Sequence, residues 1–135
     1  MVVDTMVFAY ALLGVPGFRD ESLAVLTSGQ DLLVPDSFRA ELANVVWQWS
    51  RKNTMPLTVA LDVLGDADAL ITDAVGADSL WERALELSIE HDHPAYDTLF
   101  VALAESEGVN LVTYDQKVQK KFPQLAITPS EFLAL

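Results

Sequence analysis

The run Leu99-Phe100-Val101-Ala102-Leu103-Ala104 leaves a helix no polar face. It follows Pro94, a residue that the first position of a helix tolerates, and it ends before Gly108, which suits a helix terminus. A helix that is apolar all round has to be buried in the middle of a domain. Short apolar runs supply the surroundings. Met1-Val2-Val3 stops at Asp4, Leu32-Leu33-Val34 stops at Pro35, Asn110-Leu111-Val112-Thr113 follows Gly108, and Ala126-Ile127-Thr128 stops at Pro129. Ala69-Leu70-Ile71-Thr72 is a weaker strand candidate. Short buried runs separated by helical patterns predict parallel strands joined by crossover helices.

Phe38, Leu42, Val45, Val46 and Trp49 recur at helical spacing after Asp36 and Ser37, either of which can cap, and this helix should run to about Lys52. Pro56 opens a further helix to about Gly65, and Leu80, Ala84 and Leu87 mark another from Ser79 to Glu90. Lys117 to Phe122 reads as a short helix and Ser130 to Leu133 as a terminal turn. The fold class is therefore α/β, a small parallel sheet flanked by helices. With 135 residues, 51% of them apolar, residues 1–135 make one domain with one core, and global disorder is excluded.

Cysteine is absent, which removes disulfide scaffolds, thiolate zinc sites and cysteine nucleophiles. The apolar stretch Met6 to Val15 is shorter than the roughly 20 residues a membrane span needs. It also lacks a basic leader, so a cytoplasmic protein with no membrane partner is expected. Eight basic residues against twenty acidic ones give a net charge of −12. Such a chain does not coat DNA or an anionic membrane by bulk attraction, although local phosphate binding through a cation or a small basic patch stays open.

In parallel α/β sheets, ligands bind beyond the carboxyl ends of the strands. The first strand ends at Asp4, and the third run ends in Thr113-Tyr114-Asp115. Asp97 falls in the first turn of the buried helix, and Glu41 in the first turn or so of the helix after the second strand. Ser37, Glu41, Asn44 and Gln48 form a polar stripe beside the apolar one, which puts Glu41 against the core. Four carboxylates could thus converge, and oxygen ligands at that density suit Mg²⁺ or Mn²⁺. Twenty acidic residues in 135 also make any single strand-end carboxylate an easy coincidence, and capping or the helix dipole explains each one alone.

The ordered set carries a family resemblance. Val2-Val3-Asp4-Thr5-Met6-Val7 resembles the first motif of the PIN domain family, and Ser37 to Val45, around Glu41, resembles its glutamate motif. Ala95 to Ala104, around Asp97, and Gly108 to Asp115 resemble its third and fourth motifs, in order along nearly the whole chain. Size and build resemble the VapC type, the toxin half of toxin–antitoxin pairs. The resemblance implies four or five parallel strands and a Mg²⁺- or Mn²⁺-dependent endoribonuclease. It also implies a homodimer and inhibition by a cognate antitoxin. Asp4, Glu41, Asp97 and Asp115 match its acidic ligands, with Asp4 and Asp97 holding the metal most directly. Thr5 and Thr113 match bracing hydroxyls, and Asn44 a polar position one turn beyond the glutamate.

His91 and His93 invite a metal reading, but without cysteine or a third histidine they are read as loop or helix-end residues. Lys117, Lys120 and Lys121 suit a solvated helix face and contact with an RNA backbone equally. Trp47 points away from the Trp49 stripe, toward a protein interface or partial burial. Two other functions compete: a receiver-like phosphoacceptor and a non-catalytic module on the same fold. The first wants an acidic pair after strand one, where Thr5-Met6 stands, and the intact carboxylates speak against the second.

Overall fold

A computed structural model describes residues 1–135. Five strands form one parallel sheet in the order β3-β2-β1-β4-β5, where β1 is Val2–Val3, β2 Leu33–Pro35, β3 Asp73–Val75, β4 Leu111–Val112 and β5 Ala126–Ile127. Eight helices flank it: α1 Thr5–Leu12, α2 Arg19–Leu26, α3 Phe38–Asn53, α4 Leu57–Leu70, α5 Trp81–His91, α6 Ala95–Glu107, α7 Gln116–Lys121 and α8 Pro129–Leu133. Successive strand residues face opposite sides of a sheet. Val2 and Val3 are both fully buried, and so are Leu111 and Val112, so the central strands are covered on both faces.

The apolar run lies where its composition demands. Phe100 to Ala104 are buried in α6, which packs across β1, β2 and β4 with α5 beside it. Thr98 is the buried polar exception, and its hydroxyl donates to the Ala84 carbonyl of α5 at 2.8 Å. On the other helices, Phe8 of α1 meets Phe38 of α3 with ring centroids 4.7 Å apart. A single cluster of 29 buried apolar residues joins sheet and helices.

The weak strand candidate at 69–72 is corrected. Ala69 and Leu70 close α4, and the edge strand begins at Asp73. Val63, Ala67 and Leu70 continue a helical stripe (i, i+4, i+7), and Gly65 sits inside that helix rather than ending it. Helices α1 and α2 are additions to the elements expected from the sequence. Five of the eight α1 residues are buried, so its apolar pattern carries little periodicity. Ser37 stands at the start of α3 without a capping bond, and its buried hydroxyl has no partner. Trp49 is only partly buried, and Trp47 is 53% exposed with the Arg51 guanidinium over its ring.

The sheet grows from β1 toward β2 and β3 in one direction and toward β4 and β5 in the other. The switch point therefore lies between β1 and β4, where the connections leave in opposite directions and open a crevice.

Candidate metal centre

Asp4 follows β1 directly, and its amide donates to the Val112 carbonyl of β4 at 3.1 Å. Register Val3↔Val112 therefore sets Asp4 beside Thr113, whose hydroxyl donates to Asp4 Oδ2 at 2.6 Å. The same Thr113 oxygen accepts the Asp115 amide at 3.0 Å. One buried hydroxyl thus ties both strand-end carboxylates together. Asp115 caps α7, its Oδ1 accepting the amides of Lys117 and Val118, which leaves the other oxygen uncommitted. Glu41, in the first turn of α3, is held by Thr5, whose hydroxyl donates to Oε2 at 2.7 Å. Asp97 stands in the first turn of α6.

All four carboxylates line one open cavity of roughly 420 Å³ at the switch point, together with Thr5, Met6, Tyr10, Asn44, Val45 and Tyr114. No lysine or arginine is among the lining residues. The electrostatics record that imbalance. Burial pushes the Asp4 carboxyl up to about 6, against the hydrogen bond from Thr113, and repulsion from Asp97 and Asp115 adds to the rise. Glu41 is raised for the same reasons, burial first and then Asp4 and Asp97, with the Thr5 hydroxyl opposing. Four carboxylates gathered in one cavity without a lysine or arginine in its lining fit a hard divalent ion such as Mg²⁺ or Mn²⁺.

The structure also enlists a residue read as a bystander. His93 is buried, and its Nε2 lies 2.7 Å from Asp97 Oδ2. His93, Asp97 and Asp115 each place one ligating atom within 4.8 Å of the others, a trio that does not include Asp4 or Glu41. His91, in contrast, ends α5 and packs on Phe122. Tyr10 and Tyr114, also missed, form an aromatic wall with Phe18, and the Tyr114 hydroxyl donates to Glu21 at 3.0 Å. None of the three α7 lysines lines the cavity. Lys117 and Lys120 are exposed, and the Lys121 ammonium donates to the Asp92 carbonyl at 2.5 Å.

Thr113→Val keeps the shape of this brace and removes both of its hydrogen bonds. The metal-free protein should lose about 1–3 kcal/mol, as expected when buried polar partners are left unpaired. Thr113→Ser should restore most of it. Urea unfolding in EDTA measures both, and a valine variant as stable as wild type would contradict the role given to this hydroxyl.

A model of the PIN domain family matches residues 1–124. The chain is 32% identical to Ribonuclease VapC3 of Pyrobaculum aerophilum over 134 residues, covering 96% of this chain and 98% of the relative. A crystal structure of PAE2754, also from Pyrobaculum aerophilum, superposes with a TM-score of 0.67 at 20% identity, covering 98% of this chain and 85% of that one. At that identity the superposition speaks for the fold alone.

Proposed function

The chain belongs to the PIN domain family, and from that membership we propose that it is a divalent-metal-dependent endoribonuclease, the toxin of a VapC-type toxin–antitoxin pair. The observation that carries this reading is the cavity at the switch point, where Asp4, Glu41, Asp97 and Asp115 arrive from four separate segments and no lysine or arginine is among the lining residues. Burial and acidic neighbours raise the Asp4 carboxyl inside this cavity, which favours a working site over a non-catalytic module on the same fold. The similarity to Ribonuclease VapC3 supplies the substrate class.

In this reading Asp4, Glu41, Asp97 and Asp115 would hold Mg²⁺ or Mn²⁺, Asp4 and Asp97 most directly and Glu41 and Asp115 completing the set. When bound, such an ion would polarise the phosphodiester and lower the pKa of the water beside it. The protein's own part is placement. Thr113 fixes Asp4 and Asp115 relative to each other, Thr5 fixes Glu41, and Asn44 offers an amide at the cavity wall. Tyr10 and Tyr114 present aromatic surface on which an unpaired base can stack. Lys117 and Lys120 reach an RNA backbone from outside the cavity, whereas Lys121 is committed to Asp92.

Residues 1–135 act as one domain, in the cytoplasm where RNA is met. No helix is long and apolar enough to cross a membrane. The protein partners are a cognate antitoxin and a second copy of the chain. Trp81, Leu85 and Ile89, 65%, 57% and 76% exposed along one side of α5, give apolar surface to such a partner. Incubation with a mixed RNA pool tests the activity. Cleavage should appear with Mg²⁺ or Mn²⁺ and vanish in EDTA. Cleavage that persists in EDTA would remove the metal-dependent mechanism.

A further inference from the structure

We propose that His93 is a positioning residue for the metal centre: its imidazole locks the Asp97 carboxylate in the orientation that receives the cation, without ligating the cation itself. The inference rests on the nuclease reading above and adds to it a residue that the four acidic motifs do not contain.

A carboxylate offers only lone pairs, so a 2.7 Å contact between His93 Nε2 and Asp97 Oδ2 requires the proton on Nε2. That nitrogen then has no lone pair for a metal. Asp97 Oδ1 makes no hydrogen bond to the imidazole. Asp97 therefore has one oxygen anchored and one to give. The arrangement matches the outer contacts that orient ligating groups in metal sites, with the imidazole as donor and the carboxylate as ligand.

The imidazole can impose an orientation because it is itself held. Its side chain is 4% exposed, and its ring meets that of Phe122 almost at right angles, centroids 6.2 Å apart. The chain reverses at Asp92, which adopts φ 51°, and the His93 amide then donates to the Ser88 carbonyl at 3.2 Å. Lys121 binds the Asp92 carbonyl from α7, so the short turn between α5 and α6 is pinned from a third element. Asp97 makes no such contact with a hydroxyl or amide side chain, unlike Asp4 and Glu41, which have Thr113 and Thr5. His93 does for Asp97 what the threonines do for the other two.

The test uses the whole metal-free protein and Mn²⁺ as probe. Calorimetric titration should give His93→Ala an affinity for Mn²⁺ about 10- to 100-fold below wild type, the usual effect of removing an outer contact. His93→Gln, which can still donate a side-chain N–H toward Asp97, should recover part of that loss. Thermal melting in EDTA verifies that each variant is folded, and a general packing role for His93 would lower the melting temperature without this pattern of rescue. Pulsed EPR of Mn²⁺ bound to wild type needs no variant, and it should show no directly coordinated nitrogen. Unchanged affinity in both folded variants, or a directly bound nitrogen in wild type, overturns the inference while leaving the nuclease reading intact. Wild-type protein that fails to bind Mn²⁺ at all overturns both.

Discussion

Asp97→Asn should lower RNA cleavage about 10³-fold with the fold intact. The activity loss follows from the place of Asp97 in the lining of the acidic cavity and from its part in the electrostatic rise of both Asp4 and Glu41. A divalent ion at a phosphoryl centre supplies several kcal/mol of stabilisation, and each 1.4 kcal/mol or so is a decade in rate, so losing one of its closest ligands is worth roughly three decades. The fold should tolerate the change for two opposing reasons. Asparagine forgoes the interaction of a negative charge with the first turn of α6, about 0.3–1 kcal/mol. It also relieves repulsion against Asp4 and Glu41, whose carboxyls both feel Asp97. Cleavage measured beside a thermal melt in EDTA separates the two effects. Wild-type rates in a folded Asp97→Asn protein would remove Asp97 from the centre, whereas an unfolded variant would show the residue to be structural.

What was legible in the chain, and what was not, follows from how local each signal is. The all-apolar run of α6 and the short apolar runs at Val2-Val3, Leu33-Val34, Leu111-Val112 and Ala126-Ile127 are local, and they place the buried helix and four of the five strands, although Pro35, read as a stop, is the last residue of β2 and pairs with Val75. Convergence of Asp4 and Asp115 needed only that β1 and β4 be neighbours, and the register Val3↔Val112 makes them so. The edge strand β3 escaped because its residues, Asp73-Ala74-Val75, are short, partly exposed and follow a helical stripe that overruns Gly65. His93 escaped for a different reason. Metal-ligand reasoning counts nitrogen donors, whereas this imidazole bonds an oxygen of Asp97, and the ring it packs against, Phe122, is distant in sequence. The pairings Thr5 with Glu41 and Thr113 with Asp4 span 36 and 109 residues, beyond the reach of any local pattern. The family resemblance marked those hydroxyls, and the structure shows what each one touches.

Asp4→Asn should make the metal-free protein more stable than wild type at pH 8, by about 2 kcal/mol, although it removes a proposed ligand. The sign follows from the Asp4 carboxyl, which burial raises from 3.8 to about 6. A carboxyl whose folded pKa exceeds its unfolded one binds its proton more tightly in the native state, so ionising it costs the fold. The cost builds as pH rises from about 4 to about 6 and is fully present above about 7. Asparagine cannot ionise, and its amide oxygen can still accept the Thr113 hydroxyl. The advantage of the variant should therefore fall to about half near pH 5 and nearly vanish at about pH 4. The rise from 3.8 to about 6 corresponds to roughly 3 kcal/mol, and water reaching the cavity reduces it toward about 2. Saturating Mn²⁺ should reverse the order. Wild type gains about 2.7 kcal/mol at a hundred times its dissociation constant, and the variant gains far less. Chemical denaturation in EDTA at three pH values, repeated with Mn²⁺, reads all of this. A variant less stable than wild type in EDTA at pH 8 would mean that the acids are already balanced within the protein, and the case for a cation at this cavity would lose its electrostatic basis.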